Sequence, residues 1–283
     1  MKRTDRVKLE LTRNWKLPGK RRVANWFKPS SQLKSDLKNS ITWLTDEDIA
    51  IYTSADNYIE WSIIIDGTYE EEISKMIRIS LGAGGVALDI GANIGLQSIR
   101  MSQSVGPNGK VYSFEPLEYI QQKFIKNIRL NKIDNVTLFP FALSNSESQT
   151  ELKINKNSWN QGTFTIGSTN QGVETQLITI KVADEIPEIK NLQRLDLVKI
   201  DVEGFENQVL LGLKQTIEKF SPRIVFEYDS NYWLANGQNI SDCFYYLQKL
   251  NYIIYQITIA GCELISTPGD ATSGNLFCIS TKE

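Results

Sequence analysis

The run Val86-Ala-Leu-Asp-Ile-Gly-Ala-Asn-Ile-Gly95 constrains the fold more than any other stretch of this chain. An apolar segment of strand length ends in an acid, and two glycines then open a segment with helical character. A second strand-like run, residues 110–115, also ends in an acid. Strands that alternate with helices at this spacing predict a parallel sheet whose two faces are both covered.

The acid that closes the second strand predicts a nucleoside ligand. The Glu115 carboxylate can accept hydrogen bonds from both hydroxyls of a ribose, and Gly91 and Gly95 allow a ligand to approach the backbone closely. In an open α/β sheet such a ligand lies outside the carboxyl ends of the strands. At the end of the third strand, backbone groups and apolar surface would contact adenine. The residues expected to bind the cofactor are therefore Asp89, Gly91, Asn93, Gly95, Glu115, Ala142 and Leu143.

The residues around the glycines distinguish between nucleoside cofactors. In the dinucleotide pattern G-x-G-x-x-G, the glycines bring a helix N-terminus onto a pyrophosphate. Here Asp89 precedes the first glycine, and its negative charge would repel a pyrophosphate. S-adenosyl-L-methionine carries a sulfonium, an ammonium and a ribose, so it gains from both acids. We expect S-adenosylmethionine, with a dinucleotide or a fold that has lost its ligand as the alternatives.

The hydrophobic pattern predicts one large α/β domain. The expected fold is a doubly wound, mostly parallel, Rossmann-like sheet of seven strands with an antiparallel C-terminal edge. The predicted strands cover residues 86–90, 110–115, 136–143, 195–201, 223–228, 252–259 and 275–280. The predicted helices cover residues 70–81 and 94–105, the stretch after Pro116, the stretch around 209–220 and the stretch near 240–250.

Three segments flank or interrupt this domain. Residues 1–40 are predicted to be a basic N-terminal arm, and the main domain then occupies residues 41–283. Within 41–65, short strands are expected at 41–44, 49–52 and 58–65. Residues 144–195 are too long for a plain crossover. They contain a predicted strand pair, 151–155 with 175–181, and a polar loop with Trp159 and Phe164 that we expect to fold over the active site.

The arm concentrates positive charge. Residues 1–28 hold ten Lys or Arg against Asp5 and Glu10, whereas the whole chain has a net charge of −2. Trp15, Trp26 and Phe27 lie among these basic residues. Such an arm can touch nucleic acid, an anionic lipid surface or an anionic substrate. The favoured interpretation is a solvated arm that packs its aromatic residues on the main domain, so nucleic acid is not the expected partner.

The chain contains no histidine. This excludes a histidine general base, a Ser-His or Cys-His nucleophile and any histidine-ligated metal. Proton transfer must therefore use Asp, Glu, Lys, Tyr or the substrate itself. Three widely spaced cysteines and the absence of a long apolar run favour a cytoplasmic protein without a transmembrane segment.

Acids at the ends of the fourth and fifth strands are the candidate catalytic groups. Methyl transfer from a sulfonium is an in-line displacement that depends on alignment of the acceptor, and a carboxylate can remove the proton of a hydroxyl acceptor. Asp201 is the first choice for this base and Glu227 the second, with Glu203 nearby. Lys199 would point to the same side as Asp201 and keep it ionised or stabilise an alkoxide. A structural Lys199–Asp201 ion pair is the alternative, and no metal site is expected, because no ligand spacing supports one.

These motifs together resemble the FkbM-type S-adenosylmethionine-dependent methyltransferases over roughly residues 66–280. The block Lys199-Ile-Asp-Val-Glu-Gly204 is its most specific part, with Phe114-Glu-Pro116 and Asn127-Ile-Arg-Leu-Asn131 in support. The resemblance implies a class I methyltransferase fold and O-methylation of a sugar or secondary metabolite, so the expected partner is a small-molecule or glycan acceptor. The alternatives are a nucleic-acid methyltransferase that uses the basic arm and an inactive methyltransferase-like binding module. A homo-oligomer is left open.

Overall fold

The computed structural model describes residues 31–154 and 174–282. The basic arm up to residue 30 and the loop with Trp159 and Phe164 lie outside the described residues. What the sequence predicts for these two segments stays a prediction.

Short strands and helices alternate along the described chain. The strands are β1 Ser40–Trp43, β2 Ala50–Thr53, β3 Val86–Ile90, β4 Lys110–Phe114, β5 Val136–Phe139, β6 Ala142–Ser144, β7 Ser148–Ile154, β8 Glu174–Val182, β9 Leu197–Ile200, β10 Arg223–Tyr228, β11 Tyr252–Thr258, β12 Gly261–Ile265 and β13 Gly274–Ser280. The α-helices are α1 Ser31–Asp36, α2 Tyr58–Asp66, α3 Glu71–Ser80, α4 Leu96–Val105, α5 Glu118–Leu130, α6 Pro187–Lys190, α7 Glu206–Gly212, α8 Lys214–Phe220, α9 Ser230–Ala235 and α10 Ile240–Lys249.

The central sheet has the order β12-β11-β13-β10-β9-β3-β4-β5 within the described residues. Its core, from β10 to β5, is parallel, and β13 runs antiparallel between β10 and β11. The predicted doubly wound α/β sheet with an antiparallel C-terminal edge is confirmed. The sheet has eight strands rather than seven, because the chain turns back after β11 and pairs β12 with it. The direction of winding reverses between β3 and β9, where ligands bind in such sheets.

Both faces of the parallel strands are buried, as the continuous apolar runs predict. One face packs Leu88, Val198 and Phe226 against helices that include α7, α8 and α10. The other face packs Ala87, Val111 and Leu197 against α3 and α4. All four residues of β9 are buried, and one of them is Lys199. A lysine inside an apolar strand is rarely found without a partner of opposite charge.

The predicted strand at residues 58–65 is wrong, because this segment forms α2. The Asn57 side chain accepts a hydrogen bond from the Glu60 amide at the start of the helix. Gly67, in the left-handed region at φ 70°, ends it. The isoleucines at 63–65 favour a strand by propensity, but capping at both ends and burial of Trp61 stabilise a helix instead.

The predicted third strand, residues 136–143, is split into β5 and β6. Pro140 follows β5 directly and has no N–H with which to continue a ladder of hydrogen bonds. The chain then enters a second sheet of order β6-β8-β7, whose antiparallel β7–β8 pair confirms the predicted pairing of 151–155 with 175–181. The helix expected around 209–220 is likewise divided, into α7 and α8.

Asn127 connects the β1–β2 hairpin to the residues that follow β3. Its side chain is fully buried, its Oδ1 accepts a hydrogen bond from the Tyr52 amide, and its Nδ2 donates to the Ile94 carbonyl. Asn131, which follows the last residue of this helix, accepts a hydrogen bond from the Ala50 amide. The two asparagines of the Asn127-Ile-Arg-Leu-Asn131 motif therefore satisfy backbone groups of β2.

The turn that joins β3 to α4, called the glycine loop (residues 91–95), packs tightly against the end of β9. Gly91 is left-handed at φ +79°, and a Cβ atom there would overlap the backbone carbonyl of Asp201. Gly84 has nearly the same angle, φ +76°, but a Cβ atom there would meet nothing within 4 Å. A comparison of substitutions at Gly84 and Gly91 therefore separates the cost of backbone strain from the cost of steric overlap with Asp201.

We expect Gly91→Ala to lower the free energy of unfolding by about 3 kcal/mol or more, since it adds overlap with the Asp201 backbone to left-handed strain. Gly84→Ala is the control and should cost only about 1 kcal/mol from strain. Urea unfolding followed by circular dichroism measures both. Equal losses in the two variants would contradict the close packing of the glycine loop on Asp201.

Candidate active site

The predicted site residues meet at the carboxyl edge of the parallel sheet, beside the reversal between β3 and β9. Glu115 follows β4, the glycine loop follows β3, Asp201 follows β9 and Glu227 lies near the end of β10. Neighbouring strands therefore bring together side chains that are far apart in the sequence.

Glu115 binds the glycine loop and the start of the next helix. Its Oε2 accepts a hydrogen bond from the Asn93 amide at 3.1 Å, and its Oε1 accepts one from the Leu117 amide at 2.9 Å. Burial raises the pKa of Glu115 to about 7, although both backbone bonds favour the ionised form. An ionised carboxylate has about four acceptor positions, so each oxygen can still accept from one ligand hydroxyl. This geometry fits the two hydroxyls of a ribose.

Asp89 lies beneath the glycine loop and is fully buried. Its Oδ2 accepts a hydrogen bond from the Ser98 hydroxyl, and Lys199 Nζ lies 3.9 Å from its Oδ1. Within the described residues Oδ1 accepts no hydrogen bond. Burial raises the pKa of Asp89, and the Lys199 ammonium opposes that shift. Asp89 therefore contributes negative charge from below the loop.

The other predicted cofactor residues differ in what they contact. Asn93 is left-handed at φ 48°, and its Oδ1 accepts a hydrogen bond from the Ile94 amide. A Cβ atom at Gly95 would lie 2.8 Å from the Phe124 ring, so this glycine allows α5 to pack against the start of α4. Ala142 packs against a cluster that includes Leu117, two residues after Glu115. The Leu143 side chain is instead buried in the main core.

Lys199 and Asp201 form an ion pair at the end of β9. Lys199 Nζ donates to Asp201 Oδ2 at 3.0 Å, and 30% of the Asp201 side chain is exposed. Burial alone would lower the pKa of Lys199, but the carboxylates of Asp201, Asp89 and Glu70 outweigh it and raise that pKa. Lys199 is therefore charged, and it links Asp89, beneath the glycine loop, to the partly exposed carboxylate of Asp201.

Two further carboxyl groups lie near Asp201. Burial, together with the Asp201 charge and a hydrogen bond to Asp201, raises the pKa of Glu227. Glu227 therefore favours its protonated form, in which it can donate a hydrogen bond to Asp201. Glu203 is left-handed at φ 56°, and burial with the charge of Asp201 raises its pKa to about 8. The structure places all three predicted carboxyls of this region together.

Two acids escape the sequence-based prediction. Glu206 Oε1 accepts hydrogen bonds from the Val202 and Gly204 amides, which fixes the loop after β9. Glu70, just before α3, accepts a hydrogen bond from Gln97 and interacts electrostatically with Lys199. The signal for Glu206 was its place in the block that follows β9. Glu70 belongs to Gly67-Thr-Tyr-Glu70, which fits the N-terminal edge of the family resemblance, but its proximity to β9 depends on tertiary structure.

The charges of the site fit a cationic ligand. Asp89, Asp201 and Glu70 all interact with the Lys199 ammonium, so negative charge is in excess around it. A sulfonium or an ammonium group would balance this excess, whereas a pyrophosphate would be repelled. S-adenosylmethionine therefore fits the residues present. Among the described residues, no group of three or more His, Cys, Asp or Glu is arranged to hold a metal ion.

Known proteins resemble this chain at the level of a family. The family model described as the methyltransferase FkbM domain matches residues 89–254, more than half of the chain. Methyltransferase 1 of Beauveria bassiana is 29% identical over 143 residues, which cover 44% of this chain and 57% of that protein. AMB antimetabolite synthetase AmbE of Pseudomonas aeruginosa is 26% identical over 204 residues, 60% of this chain and 9% of that protein. The chain spans less than two thirds of the length of these relatives.

Solved structures show weaker similarity. Methyltransferase FkbM from Methylobacillus flagellatus is 14% identical with a TM-score of 0.43, and the match covers 77% of this chain and 52% of that chain. A SAM-dependent O-methyltransferase from Thermotoga maritima is 13% identical with a TM-score of 0.43. The match covers 76% of this chain and 67% of that chain.

The family match confirms the predicted resemblance, the methyltransferase class and the cofactor type. None of the helices in the described ranges combines the length and the apolar character needed to cross a membrane. The match begins at Asp89 and includes the glycine loop, Glu115 and the block that ends β9. This chain belongs to the FkbM family of S-adenosylmethionine-dependent methyltransferases.

Proposed function

We propose that the chain is an O-methyltransferase that acts on a hydroxyl of a sugar or secondary metabolite, with Asp201 as the general base. The observation that carries this proposal is the position of Asp201. It lies at the edge of the sheet beside the glycine loop, accepts a hydrogen bond from Lys199 and is partly exposed. A carboxylate so placed can accept a proton from an acceptor in the crevice.

The donor would occupy the crevice above β3 and β4. Glu115 would accept hydrogen bonds from the ribose, and Ala142 would lie beside the adenine. Gly91 and Asn93 would expose backbone groups of the glycine loop, while Asp89 and Gly95 support the loop from within. S-adenosylmethionine supplies a methyl group on a sulfonium, which is already a good leaving group. The protein has mainly to align the acceptor and to receive its proton.

Lys199 and Glu227 would prepare Asp201 for this role. The ammonium of Lys199 favours a charged carboxylate at Asp201, and the protonated Glu227 donates a second hydrogen bond to it. These two donors fix the orientation of the carboxylate, and its remaining acceptor positions are available to a hydroxyl. Glu203 lies at the same edge, and its pKa, raised to about 8, would leave it mostly protonated at neutral pH. In the alternative interpretation, the Lys199–Asp201 pair serves only the stability of the sheet.

The charge of the site supports a neutral acceptor. The negative charges of Asp201 and Glu70 would repel a phosphodiester backbone, which argues against a nucleic-acid substrate. One relative, AmbE, is named an antimetabolite synthetase. The presence of a related domain in such a protein supports a secondary-metabolite acceptor for this chain.

We expect Asp201→Asn to lower methyl transfer by about a hundredfold to ten-thousandfold, because the amide cannot accept the hydroxyl proton. The affinity for S-adenosylhomocysteine should stay within about threefold of the wild type, since a neutral amide of the same shape preserves the crevice. Transfer of labelled methyl from S-adenosylmethionine to a panel of sugars, hydroxylated peptides and polyketide alcohols measures turnover, and calorimetry measures affinity.

The matched control is Asp242→Asn on the exposed surface of α10, which should behave as the wild type. Undiminished transfer by Asp201→Asn would remove Asp201 as the base. If the wild type binds S-adenosylhomocysteine but methylates nothing in the panel, the inactive binding module becomes the better interpretation.

We also expect the affinity for S-adenosylhomocysteine to rise with pH up to about 7, the pKa of Glu115, and then to level off. The ribose hydroxyls donate to the ionised carboxylate, so the protonated form below this pKa binds more weakly, by up to about tenfold per pH unit. Calorimetry between about pH 5.5 and 8.5 measures this trend. Glu115→Gln should bind weakly and show a flatter profile. An unchanged slope in that variant would rule out Glu115 as the titrating group.

A further inference from the structure

Glu70 has an unusual backbone for a residue with a side chain. It lies before the first residue of α3 in the left-handed region, at φ 50° and ψ 56°. Its side chain makes no capping hydrogen bond to that helix. Strained backbone of this kind persists where the surrounding structure enforces it, and it concentrates at functional sites. Glu70 also lies outside residues 89–254, the segment that the family model matches.

Buried neighbours fix the position of the Glu70 carboxylate. Gln97 Nε2 donates to Glu70 Oε2 at 2.9 Å, and Gln97 lies in the first turn of α4, directly after the glycine loop. Arg100 Nη1 donates to Gln97 Oε1 and to the Tyr69 carbonyl. The Arg100 guanidinium also forms a two-point ion pair with Glu47. The left-handed turn at Glu70 is therefore held in place from both sides.

Glu70 adds negative charge to a place that already has an excess of it. Burial raises the pKa of Glu70, and the Lys199 ammonium opposes this shift. The same ammonium faces Asp89, which is fully buried and whose Oδ1 accepts no hydrogen bond from the described residues. Asp201 pairs with it as well, at 3.0 Å. A ligand cation beside Glu70 would neutralise charge that Lys199 alone leaves unbalanced.

The order of the strands indicates which part of the donor reaches Glu70. Glu115 follows β4, the glycine loop follows β3, and the Lys199–Asp201 pair lies at the end of β9, in that order across the sheet. Glu70 is on the β9 side, because it interacts with Lys199 and Asp201. A donor whose ribose is at Glu115 extends across the glycine loop toward Glu70. The group at that end of the molecule is the amino acid.

We propose that Glu70 binds the α-ammonium group in the methionyl half of S-adenosylmethionine. This inference rests on the proposed donor site, and it adds a binding residue from outside the matched family segment. Gln97 is then the positioning residue that orients the carboxylate.

Two ligands that differ only in the amino acid part test the proposal by calorimetry. S-adenosylhomocysteine has this part, whereas 5′-methylthioadenosine ends in a methyl thioether. We expect Glu70→Gln to weaken S-adenosylhomocysteine binding by about ten- to a hundredfold, as for the loss of a charged hydrogen bond, and to leave methylthioadenosine binding unchanged. Glu115→Gln should weaken both ligands. Glu71→Gln is the control, because Glu71 is 57% exposed and pairs with Lys75.

A second variant, Glu70→Gly, removes the carboxylate while suiting the left-handed backbone. Its melting temperature should be no lower than that of the wild type. Like Glu70→Gln, it should bind S-adenosylhomocysteine more weakly and leave methylthioadenosine binding unchanged. Wild-type affinity for S-adenosylhomocysteine in both Glu70 variants would overturn the proposal, and so would an equal loss for both ligands. A wild-type protein that binds neither ligand would instead overturn the proposed donor site, and this inference with it.

Discussion

The buried ammonium of Lys199 is the charge on which the rest of the site depends. It lies in an otherwise apolar strand at the centre of the sheet, 3.0 Å from Asp201 and 3.9 Å from Asp89. Removing this one cation would leave several carboxylates in a poorly solvated region, at a cost of several kcal/mol. The chain can concentrate acids at this edge only because β9 supplies the balancing charge. The Lys199–Asp201 ion pair thus affects both the stability of the sheet and the charge of the site.

Much of the fold follows from local patterns. The apolar runs that become β3, β4, β9 and β10 are short, are bounded by turn residues and alternate with helical segments. Their parallel arrangement then places the residues after each strand at one edge, which is why Glu115, Asp201 and Glu227 are found together. The prediction fails where a local device competes with propensity. Capping by Asn57 makes a helix of an isoleucine-rich segment, and Pro140 interrupts the third strand.

The parts of the site that escape prediction depend on contacts between distant segments. Glu70 comes near Lys199 because Arg100 and Gln97 fix the loop before α3, and the sequence around Glu70 does not predict that contact. The proton on Glu227 likewise arises from burial and from the proximity of Asp201. The sequence predicts which acids lie at strand ends, but it does not show which of several neighbouring acids becomes protonated. That division of roles is a property of the assembled site.

The two hydrogen bonds of the Asn127 side chain have a consequence for this titrating site. Its amide connects the backbone of β2 to the Ile94 carbonyl of the glycine loop, and an amide neither gains nor loses a proton near neutral pH. The carboxyl groups nearby change charge over that same range, as Glu115 does at about 7. The Asn127 amide thus gives the loop one neutral anchor, whose strength is independent of the ionisation of the nearby carboxyl groups. Protonation of Glu115, which accepts a hydrogen bond from the Asn93 amide of the same loop, therefore leaves the Asn127 contact at Ile94 in place.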